Sequence, residues 1–271
     1  MKASGGGLRV GSGGWVRAAA AMAVTLALAA CGGSVNKPTG PLAACGSGTK
    51  AATAPAPAAS GSWPYPNGDI ANTRVAAGST FSAANISGLA QAWTFKLTGT
   101  AAEGVRPYGS LAANPIVQNG VVYLQDLDSN VYALALATGK LEWECRLNMP
   151  ERSGPGPNGV AVADGVVYGA SPTTAFALNG ATGRAIWADS TLLSAGQGTF
   201  GIQPQVANGR VYLASQYGSG PGGGVLLALK ASSGAVLWKF NTVVGPEPGM
   251  QTLGVGSGGA WETPLLSATA R

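Results

Sequence analysis

The chain has 271 residues and no histidine, which excludes Ser-His-Asp and Cys-His catalysis within it, as well as any histidine-ligated metal site. Only 10% of the residues are charged, against about a quarter in a typical soluble domain, and 43 are glycine, a composition typical of an all-β chain with many tight turns. The formal net charge of +5 falls to a near balance of 13 cations and 11 acidic residues once the three cations of residues 1–17 are set aside, so the chain has no electrostatic footprint for nucleic acid.

The first 31 residues predict a secretory signal. Residues 1–17 carry cations and no acid, and 18–30 form an apolar run that is too short for a membrane-spanning helix of about 20 residues. The run ends in Leu-Ala-Ala-Cys31-Gly, which resembles the signal of bacterial lipoproteins, whose cysteine is diacylated and becomes the mature N-terminus. The alternative is an ordinary signal peptide with a chance cysteine. The lipoprotein interpretation predicts an exported chain, anchored by lipid to the extracytoplasmic face of the cell envelope.

Residues 32–61 are rich in Gly, Ala, Pro, Ser and Thr and contain almost no large apolar side chains. Such a segment buries too little surface to fold, so it predicts a flexible tether. Cys45 lies in this tether and Cys145 in the region beyond it. Export permits a disulfide between them, but a flexible partner argues equally for two unpaired thiols, and both alternatives stay open.

The rest of the chain repeats itself. Asn-Gly-Val-Val-Tyr at 119–123 returns as Asp-Gly-Val-Val-Tyr at 164–168 and as Asn-Gly-Arg-Val-Tyr at 208–212, with spacings of about 45 residues. Four tryptophans follow similar spacings: Trp93, Trp143, Trp187 and Trp238. Fixed periods of this length predict a propeller or a repeat array.

Within one unit, short apolar runs at 114–117, 121–125, 131–136 and 141–147 alternate with turn signals such as Asn-Gly and Thr-Gly. Four short strands in a meander match one propeller blade. The sequence therefore predicts an all-β fold, a partial β-propeller of three to four four-stranded blades. We expect each tryptophan, placed just past a turn, to dock between adjacent blades. The alternative is an unrelated β-sandwich with scattered tryptophans.

The units resemble the Trp-docking repeats of PQQ-binding-like β-propellers, whose pattern is Ala-x-Asp-x-x-Thr-Gly followed by Trp. Here the pattern reads YALALATGKLEW, FALNGATGRAIW and LALKASSGAVLW. The Asp of the family is replaced by Ala135, Asn179 and Lys230, so its turn-capping carboxylate is missing from all three copies.

Upstream, residues 63–95 resemble the opening segment of quinoprotein alcohol dehydrogenases. The matching residues are Trp63, Asp69, Asn72, Thr73, Arg74, Asn85, Leu89 and Trp93. The resemblance implies that this segment supplies an outer strand to the last blade, and it places the propeller at 62–271. Residues 257–266 resemble the start of a further blade, so we expect an open arc: either a piece of a longer protein, or a chain that another chain completes or caps.

The resemblance implies PQQ with Ca²⁺ as cofactor, but the family's machinery is largely missing. The chain has no adjacent pair of cysteines, Asn158-Gly159 stands where Arg-Gly is expected, and Ser219 falls at the position of the calcium-binding Glu. Only Trp261 resembles the tryptophan that stacks on PQQ, and its alternative is another packing residue between blades. No catalytic and no metal-ligating residue is assigned.

Two functions remain open from the sequence. The first is a non-catalytic binding or scaffold module, like the propeller lipoprotein of the outer-membrane assembly machinery, with the membrane as one partner through the lipid anchor. The second is the N-terminal part of a PQQ-dependent dehydrogenase of alcohols or sugars.

Overall fold

A computed structural model describes residues 40–46, 61–69, 71–76, 78–99, 110–149, 156–157, 159–216, 218 and 223–242. These ranges contain a short helix, α1 (Pro41–Ala44), a single 3-10 turn (Ile86–Gly88) and β-strands. The strands form three antiparallel sheets, each built from strands that are consecutive in the sequence. The first sheet contains β1 (Ile116–Gln118), β2 (Val121–Gln125), β3 (Val131–Ala135) and β4 (Leu141–Cys145). The second contains β5 (Ala161–Ala163), β6 (Val166–Ala170), β7 (Ala175–Asn179) and β8 (Ala185–Asp189). The third contains β10 (Gln205–Ala207), β11 (Arg210–Gln216), β12 (Val225–Lys230) and β13 (Val236–Asn241), with β9 (Thr199–Phe200) paired to the end of β11.

The first turn of each blade is a two-residue hairpin in which both residues have a positive φ. In the first blade these are Asn119 at 51° and Gly120 at 75°, and the Asp-Gly and Asn-Gly pairs of the other two blades repeat the geometry. Positive φ at both positions matches the twist of the flanking strands, and Asn, Asp and Gly tolerate it best. The repeated dipeptides therefore predicted these hairpins for a physical reason.

The hydrophobic core lies between the blades. The middle strands β2, β3, β6 and β7 are buried over most of their length, because a blade is covered on both faces. One cluster joins the first blade to the second, through Tyr123, Trp143 and Phe176 among others. A second cluster joins the second blade to the third through Trp187.

The segment before the first blade covers the other side of that blade. Trp93, Phe95 and Leu97 alternate with exposed residues and pack against Val122 and Tyr132. This period-2 pattern is that of an extended strand with one face buried. Further upstream, Trp63 pairs with Val117 on β1 through hydrogen bonds of 2.8 and 2.9 Å in both directions.

One part of the predicted tether is ordered. Residues 40–46 form α1 and its flanks, Leu42 and Cys45 are buried in the cluster between the first two blades, and Cys45 forms a disulfide with Cys145 on β4. The expectation of a uniformly flexible tether is therefore wrong for these residues. Leu42 packs in the apolar cluster, and the disulfide restricts the conformational freedom of this segment. The disulfide also decides between the two alternatives that the sequence left open for these cysteines.

The prediction of an all-β partial propeller of Trp-docking repeats is confirmed over three blades. The predicted start of a further blade, 257–266, lies outside the described residues, as do the signal segment and Cys31. Within the described part of the chain, no helix has the length and apolar character needed to cross a bilayer.

Candidate functional site

Trp143 docks onto the second blade. Its Nε1 donates a hydrogen bond of 2.8 Å to the carbonyl of Gly180. Its ring lies over Gly183, where a Cβ would come within 2.7 Å of Cε3. Gly183 also has a φ of +70°. The turn glycine is thus required twice, for the backbone conformation and for the close approach of the indole.

The same docking geometry recurs at the neighbouring junctions. Trp187 donates to the carbonyl of Ala231 and Trp93 donates to that of Leu136, each at 2.8 Å. Each accepting carbonyl lies three residues before the turn glycine over which the indole packs. Sequence reasoning missed these carbonyl acceptors, although their constant spacing from the turn glycine is the signal that would have identified them.

Trp143 is supported by a tyrosine from the same blade. The two rings are 6.1 Å apart, and the Tyr123 hydroxyl donates to the same Gly180 carbonyl at 3.2 Å. Burial, with a smaller contribution from the charge of Glu142, raises the pKa of Tyr123 to about 12. The hydroxyl therefore remains a donor at any physiological pH.

Trp238 occupies the equivalent position in the third blade but is exposed. Its side chain is 42% accessible, whereas Trp143 and Trp187 are 8% and 0% accessible. All residues of β13 are exposed, and the large apolar ones are Val236, Leu237, Trp238 and Phe240. Trp238 and Phe240 lie two residues apart and so share one face of the strand, and we call these two side chains the open blade face. The four predicted docking tryptophans thus divide into three that lie against turn glycines and one, Trp238, that presents its ring to solvent.

The turn caps differ between blades. Asn179 takes over the capping role in the second blade, because its Oδ1 accepts hydrogen bonds from the amides of Ala181 and Thr182 at 3.1 and 3.0 Å and from the Thr182 hydroxyl at 3.0 Å. The carboxylate of the family is absent from all three copies, as the sequence indicates, and in the second blade an amide oxygen replaces it. Ala135 has no side-chain acceptor for this role.

Three polar residues that carry the resemblance upstream of the blades, Asp69, Arg74 and Asn85, build local turns. Asp69 accepts from the Thr73 hydroxyl at 2.6 Å and from its amide at 3.1 Å, which holds the pKa of this exposed carboxyl below its usual value. Arg74 Nε donates to Asn67 Oδ1 at 3.1 Å, and Asn85 Nδ2 donates to the carbonyl of Thr80 at 2.8 Å. These residues shape the chain rather than a reaction centre.

A polar network braces one end of the first blade. Because the four strands alternate in direction, the β2–β3 turns and the connections between blades meet at the same end, which we call the loop end. Asp126 is fully buried there and accepts from Tyr132 Oη at 2.7 Å, from Asn130 Nδ2 at 3.1 Å and from two backbone amides at 2.9 Å. Its carboxylate is thereby committed to holding the turn and the strand that follows it.

Buried amides connect the three blades at the loop end. Gln203 Nε2 donates to the carbonyl of Val160 at 2.7 Å and lies 3.4 Å from that of Asn114, and Gln125 Nε2 donates to Ala170 at 3.0 Å. Among the described residues, these buried side-chain atoms have no hydrogen-bond partner: Gln125 Oε1, Thr199 Oγ1, Gln203 Oε1 and Gln216 Nε2. This buried, neutral polar network is a structural feature of the junctions between the blades. It was not predicted, because nothing in the sequence distinguishes a buried glutamine from an exposed one.

The positions that the sequence compares with the family's cofactor site are not among the described residues. Asn158, Ser219 and Trp261 are outside the described residues, so the suggested PQQ contact of Trp261 remains a prediction. A calcium ion needs several oxygen ligands, chiefly carboxylates. In the described ranges no group of three or more His, Cys, Asp or Glu side chains is arranged to hold a metal ion, and the buried Asp126 is fully used internally. The described residues, taken alone, therefore supply no set of calcium ligands.

Four-stranded antiparallel blades joined by an indole over a turn glycine define a Trp-docking β-propeller. Residues 63–161 match the family model described as the β-propeller domain of glucose, ethanol and alcohol dehydrogenases, and residues 152–257 match that of the outer-membrane protein assembly factor BamB. Together the two matches span residues 63–257, which consist of PQQ-binding-like β-propeller repeats.

The chain is also similar to parts of larger enzymes. The chain is 29% identical over 191 residues to a quinohemoprotein alcohol dehydrogenase of Comamonas testosteroni, covering 68% of this chain and 26% of that protein. It is 26% identical over 166 residues to the quinoprotein alcohol dehydrogenase PedH of Pseudomonas putida, covering 59% of this chain and 27% of the relative. The structure of quinohemoprotein alcohol dehydrogenase ADHIIG from Pseudomonas putida HK5 superposes with a TM-score of 0.61 at 25% identity, over 75% of this chain and 32% of that one. The chain spans about a quarter of the length of the curated relatives it matches.

Proposed function

We propose that the chain is an exported, lipid-anchored propeller module that functions by binding another polypeptide, which docks on the open blade face. The observation that carries the proposal is the contrast between Trp238, at 42% exposure, and its buried counterparts Trp143 and Trp187. Apolar patches rimmed by polar residues are typical of interaction sites.

The series of docked tryptophans defines the chemistry of the partner. Each docked indole packs on a turn glycine of the next blade and donates to a carbonyl three residues before that glycine. Trp238 has the same position relative to Tyr212, with ring centroids 6.2 Å apart, as Trp143 has to Tyr123. The partner that fits is therefore a further β-blade with a glycine turn.

The disulfide supports the proposed export. Disulfides persist in oxidising compartments and are rare in the cytosol. A bond between Cys45 and Cys145 agrees with a chain whose signal segment directs it out of the cytoplasm. Lipidation at Cys31 remains part of the proposal and rests on the resemblance of Leu-Ala-Ala-Cys31-Gly to the signal of bacterial lipoproteins.

A photo-crosslinking amino acid at position 238 tests the binding function in the native membrane-extracted protein. The proposal expects a crosslink to a blade-bearing polypeptide, identified by peptide mass spectrometry. A matched probe replaces Ile186, which is exposed next to Trp187 on β8, and should give no such product. Crosslinks from position 238 only to residues 243–271 of the same chain would show that the chain covers this face itself, and would contradict the proposal.

A second candidate is the N-terminal part of a PQQ-dependent dehydrogenase of alcohols or sugars. The similarity to quinoprotein alcohol dehydrogenases over 191 residues, which cover only 26% of the relative, favours it. An intact mass of the native protein separates the two candidates. A mass of residues 31–271 plus acyl groups agrees with the anchored module, and a mass larger by several blades agrees with a dehydrogenase.

Titration with PQQ and Ca²⁺, followed by the absorbance of the quinone, completes the comparison. The binding module should leave the quinone spectrum unchanged. Saturable binding by the native protein would favour the dehydrogenase instead.

A further inference from the structure

Residues 40–46, which we call the rim strap, are fastened to the outer strands of two blades. Helix α1 contacts β8 of the second blade, and Cys45 is bonded to Cys145 at the end of β4 in the first. Leu42 and Cys45 are only 4% and 7% exposed, and they share a hydrophobic cluster with Trp143. The rim strap is thus covalently and hydrophobically fixed at one blade junction.

The seat of the rim strap is shaped for it. Gly46 has a φ of +66°, and a Cβ there would overlap the amide nitrogen of Arg184 and lie 2.6 Å from the carbonyl of Thr182. These two residues flank Gly183, the turn glycine that receives Trp143. The chain therefore passes in direct contact over the turn of the second blade, where a side chain on residue 46 would not fit.

The rim strap reduces the length of chain between the lipid anchor and the first residue that is fixed to a blade. This rests on the proposed lipidation of Cys31. Without the rim strap, the first residue paired with a blade would be Trp63, about 32 residues after Cys31, and that length of chain reaches at most about 110 Å. With Leu42 seated, the separation falls to about 11 residues and the maximum reach to about 37 Å.

We propose that the rim strap sets the orientation of the propeller on the membrane. It holds the outer rim of the first and second blades, to which it is fastened, towards the bilayer. The disulfide is then a positioning device, because it selects which of the blades is nearest to the lipid surface.

Fluorescence quenching on vesicles tests this orientation. The acylated, membrane-extracted chain is reconstituted into phosphatidylethanolamine–phosphatidylglycerol vesicles that carry a headgroup-attached quencher. A fluorescent amino acid replaces either Ile186, exposed on β8, or Asn208, exposed in the first turn of the third blade. We expect at least twofold stronger quenching at position 186 than at position 208.

Two variants separate the effect of the rim strap from a general effect of the anchor. The Cys45→Ser/Cys145→Ser variant should lose the difference between the two positions. A second variant carries a long Gly-Ser insertion between residues 32 and 39 and retains both cysteines. It should also lose the difference in quenching between positions 186 and 208, because the chain between Cys31 and the rim strap is longer.

The outcomes distinguish this inference from the proposed function. Protein that sediments with the vesicles but shows equal quenching at both positions would overturn the orientation and leave the anchor intact. Protein that stays in the supernatant would refute the lipid anchor, and the orientation with it.

Discussion

At the scale of single residues, the turn glycine beneath each indole matters most. Gly183 and Gly165 lie in the same blade and have similar φ values of +70° and +73°, but a Cβ at Gly183 would strike Trp143, whereas a Cβ at Gly165 would meet nothing within 4 Å. The two positions therefore separate the cost of backbone conformation from the cost of close packing.

Gly165→Ala should lower the free energy of unfolding by about 1–2 kcal/mol, the cost of a left-handed conformation for an alanine. Gly183→Ala should lower it by about 1–3 kcal/mol more, because the indole must also move. Urea unfolding monitored by tryptophan fluorescence measures both values. Equal losses in the two variants would mean that Trp143 does not depend on this contact.

The raised pKa of Tyr123 predicts that the folded state loses stability at high pH. Burial, and secondarily Glu142, raises this pKa to about 12 in the folded chain, against about 10 when unfolded. The folded state therefore holds the Tyr123 proton more tightly than the unfolded state does. The contribution of this group to the free energy of unfolding is complete below pH 10 and is lost as the pH rises through 12.

The expected loss from Tyr123 is at most about 2 kcal/mol, since the side chain retains some contact with solvent. Unfolding free energies measured between pH 9 and 12 should fall less steeply in Tyr123→Phe than in the native chain. Some decline should remain, because burial also raises the pKa of Tyr168 and of Tyr132. Identical slopes would contradict the assignment.

At the scale of elements, a blade is stabilised by what its outer strand meets. β4 and β8 turn their tryptophans into the next blade, whereas β13 has the same sequence pattern and is exposed throughout. The pattern of the strand alone therefore does not determine its burial.

Trp187→Ala should cost about 3–5 kcal/mol in unfolding free energy, as expected for a large aromatic removed from a core. Trp238→Ala should cost less than about 1 kcal/mol, as for a surface substitution. Chemical denaturation of the two variants side by side provides the measurement. A large loss for Trp238→Ala in the isolated chain would show that the open blade face is covered within the chain.

At the scale of the whole molecule, the disulfide between Cys45 and Cys145 closes a loop with a sequence separation of 100 residues, which encloses nearly the whole first blade. Removing this bond raises the conformational entropy of the unfolded chain more than removing a local contact would, because a long loop is no longer closed.

Replacing both cysteines, in Cys45→Ala/Cys145→Ala, should lower the unfolding free energy by about 4–5 kcal/mol in the chain-entropy model. A reductant should destabilise the native chain by a similar amount and leave the double variant unchanged, which provides the control. If the reductant shifts the double variant as well, the loss does not arise from this bond.

The sequence by itself determined the blades. The paired turn residues at 119–120, 164–165 and 208–209, the apolar runs between them and the recurring tryptophans are local signals, and local signals specify strands, hairpins and the family of repeats. The docking partners followed in outline, because a blade with two apolar faces must stack on another.

Only the tertiary structure decided which residues meet across the chain. Cys45 lies in a segment whose composition is typical of a tether, and its pairing depends on a seat built from two blades. The burial of Gln203 and the exposure of Trp238 depend in the same way on neighbours far away in sequence. Composition and periodicity describe what a segment can form by itself, whereas burial and partnership arise from contacts that exist only after the blades have packed.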